Sequence, residues 1–141
     1  MKAEIPEKII EFINDHHVLT LVTCSDNKPW CANCFYIFDK DENALLFSTD
    51  ITTRHGQEAK KNSFVAGSIV LETETIGKIQ GLQFSGNLVL CEKPYLSKAR
   101  KQYLTRFPYA IIKKTTLWKF EITYAKLTDN RLGFGTKLIW E

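Results

Sequence analysis

The sequence predicts a mainly β protein, an antiparallel barrel with short helices at its rim. Three observations carry this expectation. Six segments have strand-like length and β-branched or aromatic content, three others place apolar residues at helical spacing, and short polar turns separate them. A chain of 141 residues builds one core rather than two, so residues 1–141 are read as a single domain, with no linker or internal repeat.

The first helix is placed at residues 5–13, with Ile5, Ile9, Ile10, Phe12 and Ile13 at helical spacing and Pro6 suited to a first turn. His16 and His17 follow it, where imidazoles stabilise a helix end more readily than they ligate a metal. Residues 18–24 and 30–39 read as a hairpin about Ser25-Asp26-Asn27-Lys28-Pro29, and Lys40-Asp41-Glu42-Asn43 leads into residues 44–49, completing a meander. Thr52 or Thr53 caps a second helix over 54–61. Strands at 64–71 and 79–91 come next. In the latter, Leu82, Phe84, Gly86, Leu88 and Leu90 face one way, while Gln83, Ser85 and Asn87 make an uncharged polar face suited to a ligand wall. A third helix spans 95–107, ended by Pro108. The last strand, 117–127, sets Trp118, Phe120, Ile122 and Tyr124 on one side.

Composition narrows the function classes. With 44% hydrophobic and 25% charged residues, and only 7 Gly and 4 Pro, disorder and fibrous repeats are excluded. A net charge of +3 is too mild for a nucleic-acid surface. The densest basic stretch, Lys98, Arg100, Lys101, Arg106, Lys113 and Lys114, includes a helix whose solvated face accounts for it. No apolar run approaches the roughly 18 residues of a membrane span, and the charged N-terminal stretch is unlike a signal peptide, so the expectation is a cytoplasmic protein. Cys31-Ala-Asn-Cys34 has metal-pair spacing but lies on a strand, where residues three apart diverge. With no second pair, Cys24, Cys31, Cys34 and Cys91 are read as free structural thiols, Cys24 and Cys91 as small buried hydrophobes in strand-like segments, and no metal is expected. Dinucleotide, phosphate-loop and nucleophile-elbow motifs are absent.

The informative run is Leu46-Phe47-Ser48-Thr49-Asp50-Ile51-Thr52-Thr53-Arg54-His55. A strand ends, a short loop follows, and a helix opens with hydroxyls, a guanidinium and an imidazole about one point. These donors suit a phosphate, and they equally suit a helix cap with a surface Arg.

The run resembles the flavin-phosphate loop of the pyridoxine 5′-phosphate oxidase-like FMN-binding split barrels. Phe47-Ser48-Thr49-Asp50 and Thr53-Arg54-His55 match it, and so do the strands Cys31-Ala32-Asn33-Cys34-Phe35 and Ile79-Gln80-Gly81-Leu82-Gln83-Phe84-Ser85-Gly86. With Trp30 and Leu132-Gly133-Phe134-Gly135, the chain looks closest to a small, functionally undefined bacterial branch. The resemblance implies a six-stranded antiparallel split barrel that pairs as a homodimer with FMN at the interface. It implies that Thr53, Arg54 and His55 hold the phosphate and that Ser48 and Thr49 contact phosphate or ribityl. The backbone of Ala32, Asn33, Cys34 and Phe35 would line the ring, with Gln83 toward its polar edge or else facing solvent. The exposed-looking Trp140 is compatible with a dimer contact. His55 stands where the family has Lys, which removes a fixed charge. The long C-terminal segment that completes the oxidases' substrate pocket has no counterpart here. The expected function is thus a flavin-dependent oxidoreductase of unknown substrate, with no catalytic residue assigned. A haem or flavin carrier using His16, His17 or His55, deazaflavin in place of FMN, and a dimer with a degenerate site are the alternatives.

Overall fold

The computed structural model describes residues 3–111 and 115–141. In chain order the elements are α1 (Glu7–Asp15), β1 (Val18–Ser25), β2 (Lys28–Asp39), β3 (Ala44–Thr49), α2 (Arg54–Lys61), β4 (Phe64–Val70), β5 (Gln80–Leu90), α3 (Tyr95–Arg106), β6 (Thr116–Asp129) and β7 (Lys137–Trp140). The sheet runs β3-β2-β1-β4-β5-β6-β7, antiparallel throughout, and β3 also pairs with β6. That extra pairing closes β1 to β6 into a six-stranded ring.

Local chemistry sets the hairpin that begins it. Asp26 (φ 52) and Asn27 (φ 60) both take left-handed backbone, the geometry of a two-residue turn whose twist matches the strands, and both residue types tolerate it. Ser25 therefore pairs directly with Lys28, and β2 runs back along β1 as far as Val18 opposite Phe35.

The barrel interior holds Leu19, Leu21, Tyr36, Leu45, Phe47, Phe84, Trp118 and Phe120, all buried. Ile9, Ile10, Phe12 and Ile13 of α1 join this core, and Tyr36 donates its hydroxyl proton to the Ile13 carbonyl at 2.6 Å. His16 Nδ1 lies 2.8 Å from the Phe12 carbonyl and so satisfies the helix end, the role anticipated for it. Gly86 is required by close approach, because a Cβ there would lie 1.9 Å from the Glu121 carbonyl oxygen of β6.

Three expectations need correction. The alternation of β6 does not continue to Tyr124: pairing with β5 passes from Ile122 opposite Gly86 to Tyr124 opposite Ser85, so Thr123 is an extra residue. Beyond this bulge Ala125 and Leu127 take the buried side and Tyr124 leaves it. Trp140 is buried, not exposed: it sits on β7 opposite Ala125, and its indole donates to the Ala3 carbonyl at 2.8 Å. Cys24 is only half-buried, whereas Cys34 and Cys91 are buried.

Strand parity separates the other thiols as expected. Cys31 is exposed and Cys34 faces the core, where burial pushes its thiol up to about 11. Among the described residues no helix is long and apolar enough to cross a membrane, and no His, Cys, Asp and Glu cluster could hold a metal ion. Of the basic stretch, Lys98 reaches Asp41 and Arg106 donates to the His16 carbonyl, while Lys113 and Lys114 lie outside the described residues.

The outside of the barrel divides in two. Over β2, β3 and β6, α3 lays Ala99 and Tyr103 on Ile37, Leu46, Cys91 and Leu117, forming a second small core. Over the outer faces of β1, β4, β5 and the first half of β2, no comparable core forms among the described residues.

Candidate functional site

The place where β2 and β3 part positions the site. β3 pairs with β2 only from Tyr36 to Asp39, so among the described residues positions 28–35 of β2 have β1 on one side and no strand on the other. Because the two-residue turn makes Ser25 and Lys28 the hydrogen-bonded pair, alternate residues of β2 direct their backbone groups to the open side. The donation of Tyr36 N–H to His17 C=O fixes this parity, leaving Pro29, Cys31, Asn33 and Phe35 facing the opening.

Tyr103 of α3 bridges the opening. It donates to the Phe35 carbonyl at 3.1 Å, and the Ser48 backbone bonds to its phenolic oxygen. Burial still raises its pKa. Tyr103 lies within the helix expected over 95–107, and nothing in its local sequence signals its contacts with Phe35 and Ser48.

The outer face beside this edge is built in rows. Asn33, Thr20, Ser68, Gln83, Lys126 and Ile139 stand side by side across six strands, and Cys31, Val22, Ala66, Ser85 and Tyr124 form the next row. Thr20 donates to Asn33 Oδ1 at 2.9 Å, and Gln83 is exposed. Strands β2, β1, β4 and β5 offer mostly small, uncharged groups in both rows, whereas β6 brings Lys126 and Tyr124. Of the four expected ring-lining residues, Asn33 and Phe35 point outward, whereas Cys34 is buried and Ala32 half-buried on the inner side.

At the β3–α2 junction the cap is formed as expected. Thr53 accepts from Gly56 N–H at 3.1 Å and donates to the Asp50 carbonyl at 2.7 Å. Asp50 Oδ1 takes both the N–H and the hydroxyl of Thr52. Ser48 bonds to the Thr115 hydroxyl.

Arg54 and His55 do not converge. Successive helical residues point about 100° apart, and here the two side chains find different partners. His55 Nε2 lies 2.7 Å from the Thr49 hydroxyl, and its pKa is lowered by burial, with Glu58 partly opposing. Arg54 instead turns toward the β1–β2 hairpin. Its guanidinium carbon is 4.2 Å from the centre of the Trp30 ring, and its Nε donates to Glu58 Oε1 at 2.8 Å. There it lines a cleft of about 310 Å³ with Lys28, Gln57, Glu58 and Lys61. Glu58 is buried, and hydrogen bonds from Arg54 and Thr23 hold its carboxyl below the ordinary range. Trp30 entered the sequence reading only through the family match, and Glu58 not at all. Glu58 is four residues after Arg54, the spacing of a helical ion pair, which is the signal that could have found it.

Comparison with known proteins identifies the family and the fold. The family model described as pyridoxamine 5′-phosphate oxidase matches residues 5–129. A UPF0306 protein of Photorhabdus laumondii is 42% identical over 94% of this chain and 93% of its own. One from Serratia proteamaculans is 41% identical over 98% and 96%. Among solved structures, a haem binding protein from Mycobacterium smegmatis superposes with a TM-score of 0.78 at 16% identity, covering 97% of this chain and 59% of its own. A FAD-binding protein from Mesorhizobium loti gives 0.70 at 9% identity, over 87% and 93%. With the family model matching nearly the whole barrel and close UPF0306 relatives spanning the chain, the protein belongs to the pyridoxamine 5′-phosphate oxidase family, within its UPF0306 members.

Proposed function

We propose that the chain binds FMN as a homodimer and acts as a flavin-dependent oxidoreductase. The observation that carries this is the open edge of β2 beside an uncovered face of small, uncharged side chains. Flat aromatic rings bind against such surfaces, and the outward N–H and C=O groups of Asn33 suit the alternating donors and acceptors of an isoalloxazine edge. The same face, extended to Gln83 across β4 and β5, would meet a second copy. Arg54 and backbone N–H groups of the first turn of α2 are the groups that would hold a phosphate. When bound, the flavin supplies hydride or electron transfer, and these residues bind and orient it.

The test is titration of the purified protein with FMN, followed by flavin fluorescence and thermal shift. Binding is expected, and Arg54→Ala should weaken it by the ~1.5–3 kcal/mol of a charge-assisted hydrogen bond. Absence of any FMN-dependent shift overturns the proposal.

A haem-binding reading is favoured by one observation, the likeness to the mycobacterial haem binding protein. Among the candidate ligands His16 and His55 are engaged, whereas the imidazole of His17 is exposed and stacks on Phe35 with centroids 5.9 Å apart. A Soret band on haem addition that His17→Ala abolishes would select this reading.

A further inference from the structure

We propose that Glu58, Trp30 and Thr23 are positioning residues that hold the Arg54 guanidinium as a ready-made phosphate fork, an inference that rests on the flavin reading above. A free arginine on a helix surface samples many rotamers, and binding an anion must then order it. Here the ordering is built into the fold.

Glu58 takes Arg54 by Nε alone, at 2.8 Å, and the guanidinium carbon lies over the Trp30 ring, 4.2 Å from its centre. Nη1 and Nη2 have no partner among the described residues. Two parallel N–H donors on those atoms are what a phosphate binds bidentately.

The other carboxylate oxygen of Glu58, Oε2, is anchored by the Thr23 hydroxyl of β1 at 2.8 Å. Three elements therefore converge on one side chain: β1 through Thr23, β2 through Trp30, and α2 through Glu58. The bland alternative is that Glu58 simply competes with any incoming anion for Arg54. Geometry and charge make opposite demands on variants, so the two can be separated.

The experiment measures FMN and riboflavin affinities in parallel with the full chain, since the two ligands differ only in the phosphate. Wild-type protein should prefer FMN by about tenfold or more. Equal affinity would mean that no phosphate is bound here, and the flavin-phosphate reading fails before the positioning question arises. Given that preference, Glu58→Ala should cut it by about tenfold while leaving riboflavin affinity unchanged. Glu58→Gln, which keeps an acceptor for Nε, should retain the preference within about threefold. Trp30→Ala should lower it and Trp30→Phe restore it. An Ala variant that keeps or raises the preference overturns the proposal in favour of competition. Should Glu58→Ala not fold, Thr23→Val removes only the anchoring hydroxyl, and an unchanged preference in that variant likewise counts against it.

Discussion

Two stretches of the same sheet face outward and meet different fates. Where outward residues are large and apolar, as at Ile37, Leu46 and Leu117, α3 covers them. Where they are small and uncharged, as at Thr20, Ala66, Ser68 and Ser85, no such second core forms among the described residues. Burying the first set stabilises the monomer by roughly 25 cal/mol per Å². The second set would gain little from a helix of this chain, but its flatness suits a planar ligand or another sheet. The contrast separates residues that fold the protein from residues free to serve binding.

The largest expected effect breaks the covered side. Leu46→Ala should cost about 2–5 kcal/mol in denaturant unfolding, because a fully buried side chain leaves a cavity. Thiol chemistry gives the next contrast. Cys34, pushed up to about 11 by burial, should label roughly a hundredfold more slowly than an ordinary thiol, while exposed Cys31 labels in the native protein. Mass spectrometry after timed thiol modification checks this.

On the open side, Ser68→Arg should weaken self-association by about tenfold or more in sedimentation equilibrium. It should change monomer stability by under ~0.5 kcal/mol, as surface substitutions do. The smallest effect concerns His55. Its folded pKa lies below the ordinary 6.5, so protonation favours the unfolded chain. The stability this contributes is complete above about pH 6.5 and declines as pH falls toward the folded value. His55→Gln should flatten that part of the melting-temperature profile, leaving the carboxylate-driven loss at lower pH.

Much of the fold was legible because periodicity survives in a small barrel. All three helices and six ring strands occur within one or two residues of their expected places. β7 escaped notice since four residues, Lys137 to Trp140, are too few to show a period, and Trp140 was consequently misread. The bulge at Thr123 is invisible because nothing in the local composition announces an extra residue. The site was half legible. Thr53 could be read as a cap from residue type alone, but adjacency in sequence brought Arg54 and His55 together on paper while helical geometry sends them apart. Tyr103 and Thr23 reach their partners across 68 and 35 residues, distances over which spacing carries no information.

The parting of β2 from β3 has a consequence for solubility. An unpaired strand edge is an invitation to polymerise with other copies, and proteins blunt such edges. Here Pro29 presents no N–H to the opening and the Phe35 carbonyl is already occupied by Tyr103. Cys31 and Asn33 are left between them with both backbone groups outward, a window too narrow to seed a growing β-fibre.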